Sequence, residues 1–196
     1  MNPNIHDMAV RLLEAAENRK RFIVALAGPP GAGKSFLSEW LCRELNERVP
    51  GIAAVVPMDG YHLDNAILEP LGQLSIKGAP ETFDPDGLKH DLERIRRADR
   101  SVAVPVFDRP LDLARAGGRL ITLEHRIVIV EGNYLLLDRD PWRELHPLFD
   151  MTLLLEVADE VLEARLIQRW LGMGQEQEGA VDKARNKDML NARLIK

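Results

Sequence analysis

Eight consecutive residues, Gly28-Pro29-Pro30-Gly31-Ala32-Gly33-Lys34-Ser35, carry the spacing G-x-x-x-x-G-K-S. Each member has a chemical reason to stand there. Glycines let the backbone close around phosphate oxygens because no Cβ intrudes. Successive N–H groups, together with the first turn of a following helix, then point at negative charge. Lys34 supplies a point charge for β- and γ-phosphates, and the Ser35 hydroxyl stands where a Mg²⁺ ligand belongs. Phe36, next in the chain, is counted with this nucleotide-binding segment. The competing reading is a glycine-rich turn before a helix, with no ligand. An apolar run over 22–27 precedes the motif and helically spaced apolar residues follow it, which is the context the phosphate reading requires.

Two acids stand just after apolar runs. Asp59 follows 52–58 and Glu131 follows 127–130. If both runs are strands parallel to the first, both carboxylates lie at the sheet edge that carries the phosphate loop. Phosphoryl transfer to a hydroxyl uses two such acids. One orients the acceptor hydroxyl and takes its proton; the other helps hold Mg²⁺ or its waters. Asp59 suits the first role, because it opens an irregular segment over 60–83. Glu131 suits the second, at the end of an apolar strand. Each could instead be a capping or turn carboxylate. Asp108-Arg109 follow the run 102–107 in the same way, with an ordinary surface ion pair as the alternative.

The elements that must position these groups follow from periodicity. Ile5, Met8, Ala9, Leu12, Leu13 and Ala16 recur at steps of three and four, the mark of an amphipathic helix. Phe36, Leu37, Trp40, Leu41 and Leu45 give a second helix, ended by Pro50-Gly51. Leu88, Leu92 and Ile95 mark a third, with Asp84 or Asp86 as its cap. The runs 102–107 and 119–123, around Gly117-Gly118, read as a hairpin. A short helix over 142–148, a strand over 151–157 and a helix over 161–171 follow. Residues 172–180 read as a mobile Gly/Gln/Glu-rich segment, and a last helix covers 181–190. Strands alternating with helices predict an α/β sandwich with a mainly parallel sheet.

The 196 residues fit one domain, taken as 1–196. Lys and Arg number 26 against 31 Asp and Glu, a net charge of −5. That balance argues against a nucleic-acid or membrane-surface binder, while leaving room for a local basic pocket. One cysteine, Cys42, excludes an intrachain disulfide and any cysteine-based zinc cluster; in its amphipathic helix it reads as a packing residue. No apolar run approaches the ~18 residues of a membrane span, and the acidic start does not read as a signal peptide, so the expected location is cytoplasmic.

Five segments taken in order, GPPGAGKS (28–35), MDGYHL (58–63), PETFDPDGL (80–88), PVFDR (105–109) and IVIVEGNYLLLD (127–138), resemble the uridine kinase, phosphoribulokinase and bacterial pantothenate kinase family. Within it they resemble most the small bacterial members named as fructose transport system kinases. The resemblance implies a three-layer P-loop NTPase sandwich with a β-hairpin and a helical lid over about 165–185. It implies ATP-dependent phosphorylation of a small-molecule hydroxyl with Mg²⁺. By the family's pattern, Asp59 is the catalytic base, and Tyr61 and His62 line the acceptor pocket. Glu81, Phe83 and Asp84 lie near the acceptor, and Asp108 and Arg109 sit on a hairpin beside it. Glu131 is the second acid, and Arg165 and Arg169 belong to the lid. Their i, i+4 spacing puts both guanidinium groups on one helix face; the alternative is a solvated face paired with Glu163 or Glu160. The family pattern also ends in an apolar strand after the lid helix, and no such run follows residue 190 here.

Other reactions remain open on the residues alone. A nucleotide-dependent regulatory ATPase or switch would keep the phosphate loop without an acceptor pocket. Sugars, nucleosides and pantothenate are all open as acceptors, and a homodimer is open as a partner state. His62 and Asp64 make a weak metal pair without a third ligand. His90, His125 and His146 read as surface residues. Asp84-Pro85-Asp86-Gly87 and Asn186-Lys187-Asp188 are discounted as guanine-nucleotide motifs, the first because no apolar strand precedes it, the second because it lacks a residue of N-K-x-D.

Overall fold

The structure, a computed structural model, describes residues 5–195. Residues 1–4 and 196 and the Ile5 side chain, which the sequence reading included, lie outside the described residues.

Parallel sheets are covered by helices on both faces, so their strands must be apolar on both. Strand β1 (Phe22–Ala27) meets that demand in every residue, all six being buried. It is flanked by β5 (Ile127–Gly132) and β6 (Met151–Leu154), and β2 (Ala53–Pro57) lies outside β5, giving the order β2-β5-β1-β6 with every pair parallel. Alternate residues feed two cores. Ile23, Ala25, Val128 and Val130 face helix α4 (Pro85–Arg97) through Leu88, Leu92 and Ile95. Phe22, Val24, Leu26, Ile127 and Ile129 face α1 (Ile5–Ala15) through Ala9 and Leu12, and α2 (Lys34–Arg48) through Leu41 and Leu45. The result is the expected three-layer sandwich. No helix among the described residues is long and apolar enough to cross a membrane.

The hairpin differs from its sequence reading. Strand β3 (Val102–Asp108) pairs antiparallel with β4 (Leu113–Ile121), so Gly117-Gly118 lie inside a strand and the turn is at 109–112. The register shifts between Val104 and Val106: Val104 pairs with Arg119, but Val106 pairs with Arg115. Pro105, with no N–H to give the ladder, sits at the bulge. A Cβ at Gly118 would lie 2.3 Å from Val106 Cγ2, so a larger residue there would force the Val106 side chain to shift. Strand β6 stops at Leu154 rather than 157, although Leu155 N still donates to Ala27 O.

The segment after α5 (Asp159–Gly172) is more ordered than its composition suggests. Helix α6 (Gln177–Lys183) starts inside it. The last helix is then interrupted by a π-helical turn, Ala184–Asp188, before α7 (Met189–Arg193). Among the described residues no strand follows α5. Leu162, Leu166, Ala184, Met189 and Ala192 bury Ala32 of the phosphate loop, which ties that loop to the C-terminal helices.

The turn after β2, Met58–Tyr61, presses against β3. A Cβ at Gly60 would lie 2.4 Å from the Pro105 carbonyl oxygen, a backbone atom that no rotamer change can move. Gly60→Ala should therefore cost about 1–3 kcal/mol of unfolding free energy. Gly172→Ala, in open space in the last turn of α5, should instead stabilise by roughly 0.4–1 kcal/mol. Urea denaturation of the two variants checks both signs.

Candidate active site

The phosphate loop leaves β1 and enters α2. Gly31 and Gly33 take left-handed backbone (φ 79° and 98°), conformations that L side chains strain to adopt. Helix α2 begins at Lys34 with Gly33 as its N-cap and no side-chain cap, which leaves its first N–H groups for an anion. Lys34 is only 7% exposed. Its Nζ donates to Pro29 O at 2.9 Å and to Asn133 Oδ1 at 2.6 Å. Burial pushes the ammonium down to about 8, against the opposing pull of Glu131 and Asp59.

Both acids arrive at this edge because β1, β2 and β5 are parallel. Pro57 of β2 pairs in register with Glu131 of β5, so Asp59 lies two residues past the Glu131 level. Glu131 is the fifth residue of β5, not the first after it. The Ser35 hydroxyl donates to its Oε1 at 3.2 Å. Burial, and then the Asp59 charge, raise Glu131 to about 7. Asp59 sits in the turn after β2, with Arg109 Nη2 donating to its Oδ2 at 2.6 Å. His62 Nδ1 lies 2.8 Å from the Asp59 carbonyl oxygen; a carbonyl only accepts, so Nδ1 carries the hydrogen. Burial lowers the His62 pKa, which favours the neutral ring.

These groups share one cavity of about 820 Å³, and Lys34, Ser35, Phe36, Asp59, Glu131 and Arg169 all border it. His62, Phe83 and Arg109 also border it. The His62 ring packs against both Phe83 and Phe107, its centroid 4.0 and 4.6 Å from theirs and its plane tilted 41° and 40° to them. Phe36, also in the cavity lining, is 74% exposed. Pro30, Gly31 and Gly33 of the loop also face the cavity. Gly28 and Ala32 are buried beneath it, and Pro29 borders a separate recess of about 370 Å³ beside Leu154–Ala158.

Several residues expected at the acceptor pocket face elsewhere. The buried Tyr61 hydroxyl donates to Asp91 on α4 at 2.9 Å. Asp84 caps α4 by accepting from Gly87 N. Glu81 pairs with Arg139 at 3.9 Å on the surface. Asp108 pairs with Arg115 at 3.2 Å. Arg165 reaches the loop rather than the cavity, its Nη1 lying 3.4 and 3.3 Å from the Gly31 and Ala32 carbonyl oxygens. Glu163 pairs with Arg185, not with Arg165. Asp64 caps the short helix α3 (Asn65–Leu68). His90 is exposed as expected, but His125 and His146 are half-buried, His125 accepting from Thr122 N.

The cavity also holds residues that the sequence did not single out as site residues, Asn133 and Lys77, and two, Lys187 and Asp188, that it offered only within a discounted guanine-nucleotide motif. Asn133 follows the Glu131-Gly132 pair, and that place at a strand end was a usable signal. Lys77 holds Asn65 Oδ1 at 2.6 Å and the Asp112 carboxylate at 3.0 Å, joining the irregular segment to the hairpin tip. The π-helical turn brings Lys187 and Asp188 to the cavity wall, where Asp188 accepts from Trp170 Nε1 at 2.7 Å.

No family model matches the chain. It is 34% identical over 194 residues to the Schizosaccharomyces pombe protein named "Putative uridine kinase C227.14", covering 94% of this chain and 82% of that one. It is 30% identical to the ATP-dependent kinase YFH7 of Lachancea thermotolerans, over 74% of this chain and 54% of that longer one. Among solved structures, the "putative fructose transport system kinase" of Silicibacter sp. TM1040 superposes with a TM-score of 0.93 at 44% identity, covering 99% of this chain and 94% of that one. A phosphate loop, two acids at neighbouring strand ends and this kinship over nearly the whole length agree: the chain belongs to the uridine-kinase-like P-loop kinases and is an ATP-dependent kinase of a small molecule.

Proposed function

We propose that the protein transfers the γ-phosphoryl group of ATP to a hydroxyl of a sugar or sugar-like compound. The observation that carries this reading is the Asp59 carboxylate bordering the same cavity as Lys34, one of its oxygens held by Arg109. Residues 28–36 cradle the triphosphate, and Lys34 and Arg169 face the transferring phosphoryl oxygens. Residues 165–185 act as the lid. Asp59 takes the proton as the acceptor oxygen bonds to phosphorus. The bond from phosphorus to the β–γ bridging oxygen breaks, and its electron pair leaves with ADP. Positioning and charge neutralisation supply most of the rate.

The residues present fit a Mg²⁺ ion. Ser35 Oγ and Glu131 Oε1 are two hard oxygen donors 3.2 Å apart, and Mg²⁺ is held by one or two such groups plus substrate phosphates. Bound there, it would neutralise charge on the β- and γ-oxygens. The remaining cavity wall suits a polyhydroxy acceptor: aromatic faces from Phe83 and Phe107 alternate with His62, Asn65 and Lys77. The name of the Silicibacter relative supports a sugar. A nucleoside is the second reading, favoured by the name of the fission yeast relative.

Asp59→Asn should lower kcat by ~10²–10⁴ with little change in ATP affinity; parental turnover in that variant would remove Asp59 from the chemistry. Lys34→Ala should weaken ATP binding and slow turnover together, read by calorimetry and by ADP release. A radiolabelled phosphate-transfer screen over sugars, nucleosides and pantothenate identifies the acceptor. ADP release that no hydroxyl compound accelerates would instead mark a regulatory ATPase.

A further inference from the structure

We propose that Asn133 is a positioning residue for phosphoryl transfer, holding the Lys34 ammonium in place for the terminal phosphates of the nucleotide. The inference rests on the reading of residues 28–36 as the nucleotide site. An ammonium has three N–H donors. Lys34 spends two on neutral protein oxygens, Pro29 O at 2.9 Å and Asn133 Oδ1 at 2.6 Å. The third is left for an anion in the cavity that Lys34 and Asn133 both border. Lys34 can therefore bind phosphate without giving up either protein contact, which is what preorganisation requires.

An amide does here what its common replacements do not. A carboxylate at 133 would pair with the ammonium, cancel the charge the phosphates need and add a repelling charge beside them. An aliphatic side chain would leave a buried donor unsatisfied and the lysine free to swing. The backbone on both sides of Asn133 is held in place. It follows Gly132, where a Cβ would lie 2.5 Å from Met58 Cβ, so the backbone is pressed close to the turn after β2. It precedes the fully buried Tyr134, whose hydroxyl donates to Gly78 O at 2.6 Å.

The test is MgATP binding by calorimetry to the parent, Asn133→Ala, Asn133→Asp, Lys34→Met and Asn133→Ala/Lys34→Met proteins. Asn133→Ala should weaken MgATP about tenfold, the scale of a lost hydrogen bond to a charged group. That loss should vanish in the Lys34→Met background, as expected for residues that act as a pair. Asn133→Asp keeps the shape and an acceptor oxygen, yet should bind MgATP more weakly than Asn133→Ala. A merely structural amide would change the melting temperature and the fraction of molecules that bind, but not the affinity of that fraction. Parental affinity in Asn133→Asp, or an equal loss with and without Lys34, would overturn the inference and leave the nucleotide site standing. Parental MgATP affinity in Lys34→Met would overturn the nucleotide site itself.

Discussion

Lys34 is a buried cation whose hydrogen bonds go to two neutral oxygens, while the acids of the cavity act on it only through space. Burying an ammonium is costly, and its pKa falls to about 8 as a result. A contacting carboxylate would relieve that cost and cancel the charge. The fold leaves the cost unrelieved at the place where phosphates are to bind, so much of the surrounding structure has to hold the loop in shape. Left-handed Gly31 and Gly33 set its curvature. The uncapped start of α2 adds backbone donors. Leu162 and Leu166 of α5 pack beneath Ala32, so the loop is held from the C-terminal helices as well as from the sheet.

The second requirement is an acid placed across from that cation, and the parallel sheet meets it by register. Because Pro57 is level with Glu131, and Glu131 with Leu26, three strand ends open on one edge. Asp59 is then fixed by close packing on two sides. Gly132 admits Met58, its neighbour in the turn, at a distance no larger residue would allow, and Gly60 admits the Pro105 carbonyl of β3. The same approach of β3 brings its hairpin tip, and with it Arg109, to the carboxylate. The bulge at Pro105 and the glycine pair of β4 therefore bear on where Asp59 and Arg109 sit, although neither borders the cavity.

What could be read from the chain was whatever depends on position along one strand. The phosphate loop, Asp59 and Glu131 each stand at the end of an apolar run, and a parallel sheet turns that one-dimensional fact into proximity. The acceptor wall was less legible because its two strips face each other as an irregular bridge. His62 pairs with Phe83, and Asp84 N donates to Tyr61 O. Neighbours on such a bridge point to opposite sides. His62 and Phe83 face the cavity; Tyr61 and Asp84 turn toward α4. Motif resemblance names all four without saying which pair faces in. The π-helical turn was invisible for a different reason. Its extra residue per turn breaks the periodicity by which a helical face is recognised, so Lys187 and Asp188 stood out only as part of a discounted N-K-x-D motif and not as residues of the cavity wall.

The cations of the cavity divide by partner. Arg109 is paired with Asp59, and Lys77 with Asp112. Lys34, Arg169 and Lys187 form no ion pair within 4 Å among the described residues, although the Asp188 charge acts on Arg169 and Lys187 through space and Lys187 lies near the Trp170 ring. Unpaired cations attract anions, whereas paired ones offer local donors and acceptors with little net field. The unpaired set comes from the phosphate loop and the C-terminal helices, the elements assigned to the nucleotide. The paired set comes from the hairpin and the irregular segment, the elements assigned to the acceptor. On that division the sheet and loop carry the chemistry common to such kinases. On the proposed reading, the Lys77–Asp112 junction and the Phe107 ring beside it are what an acceptor would meet: fixed hydrogen-bond partners with little net charge.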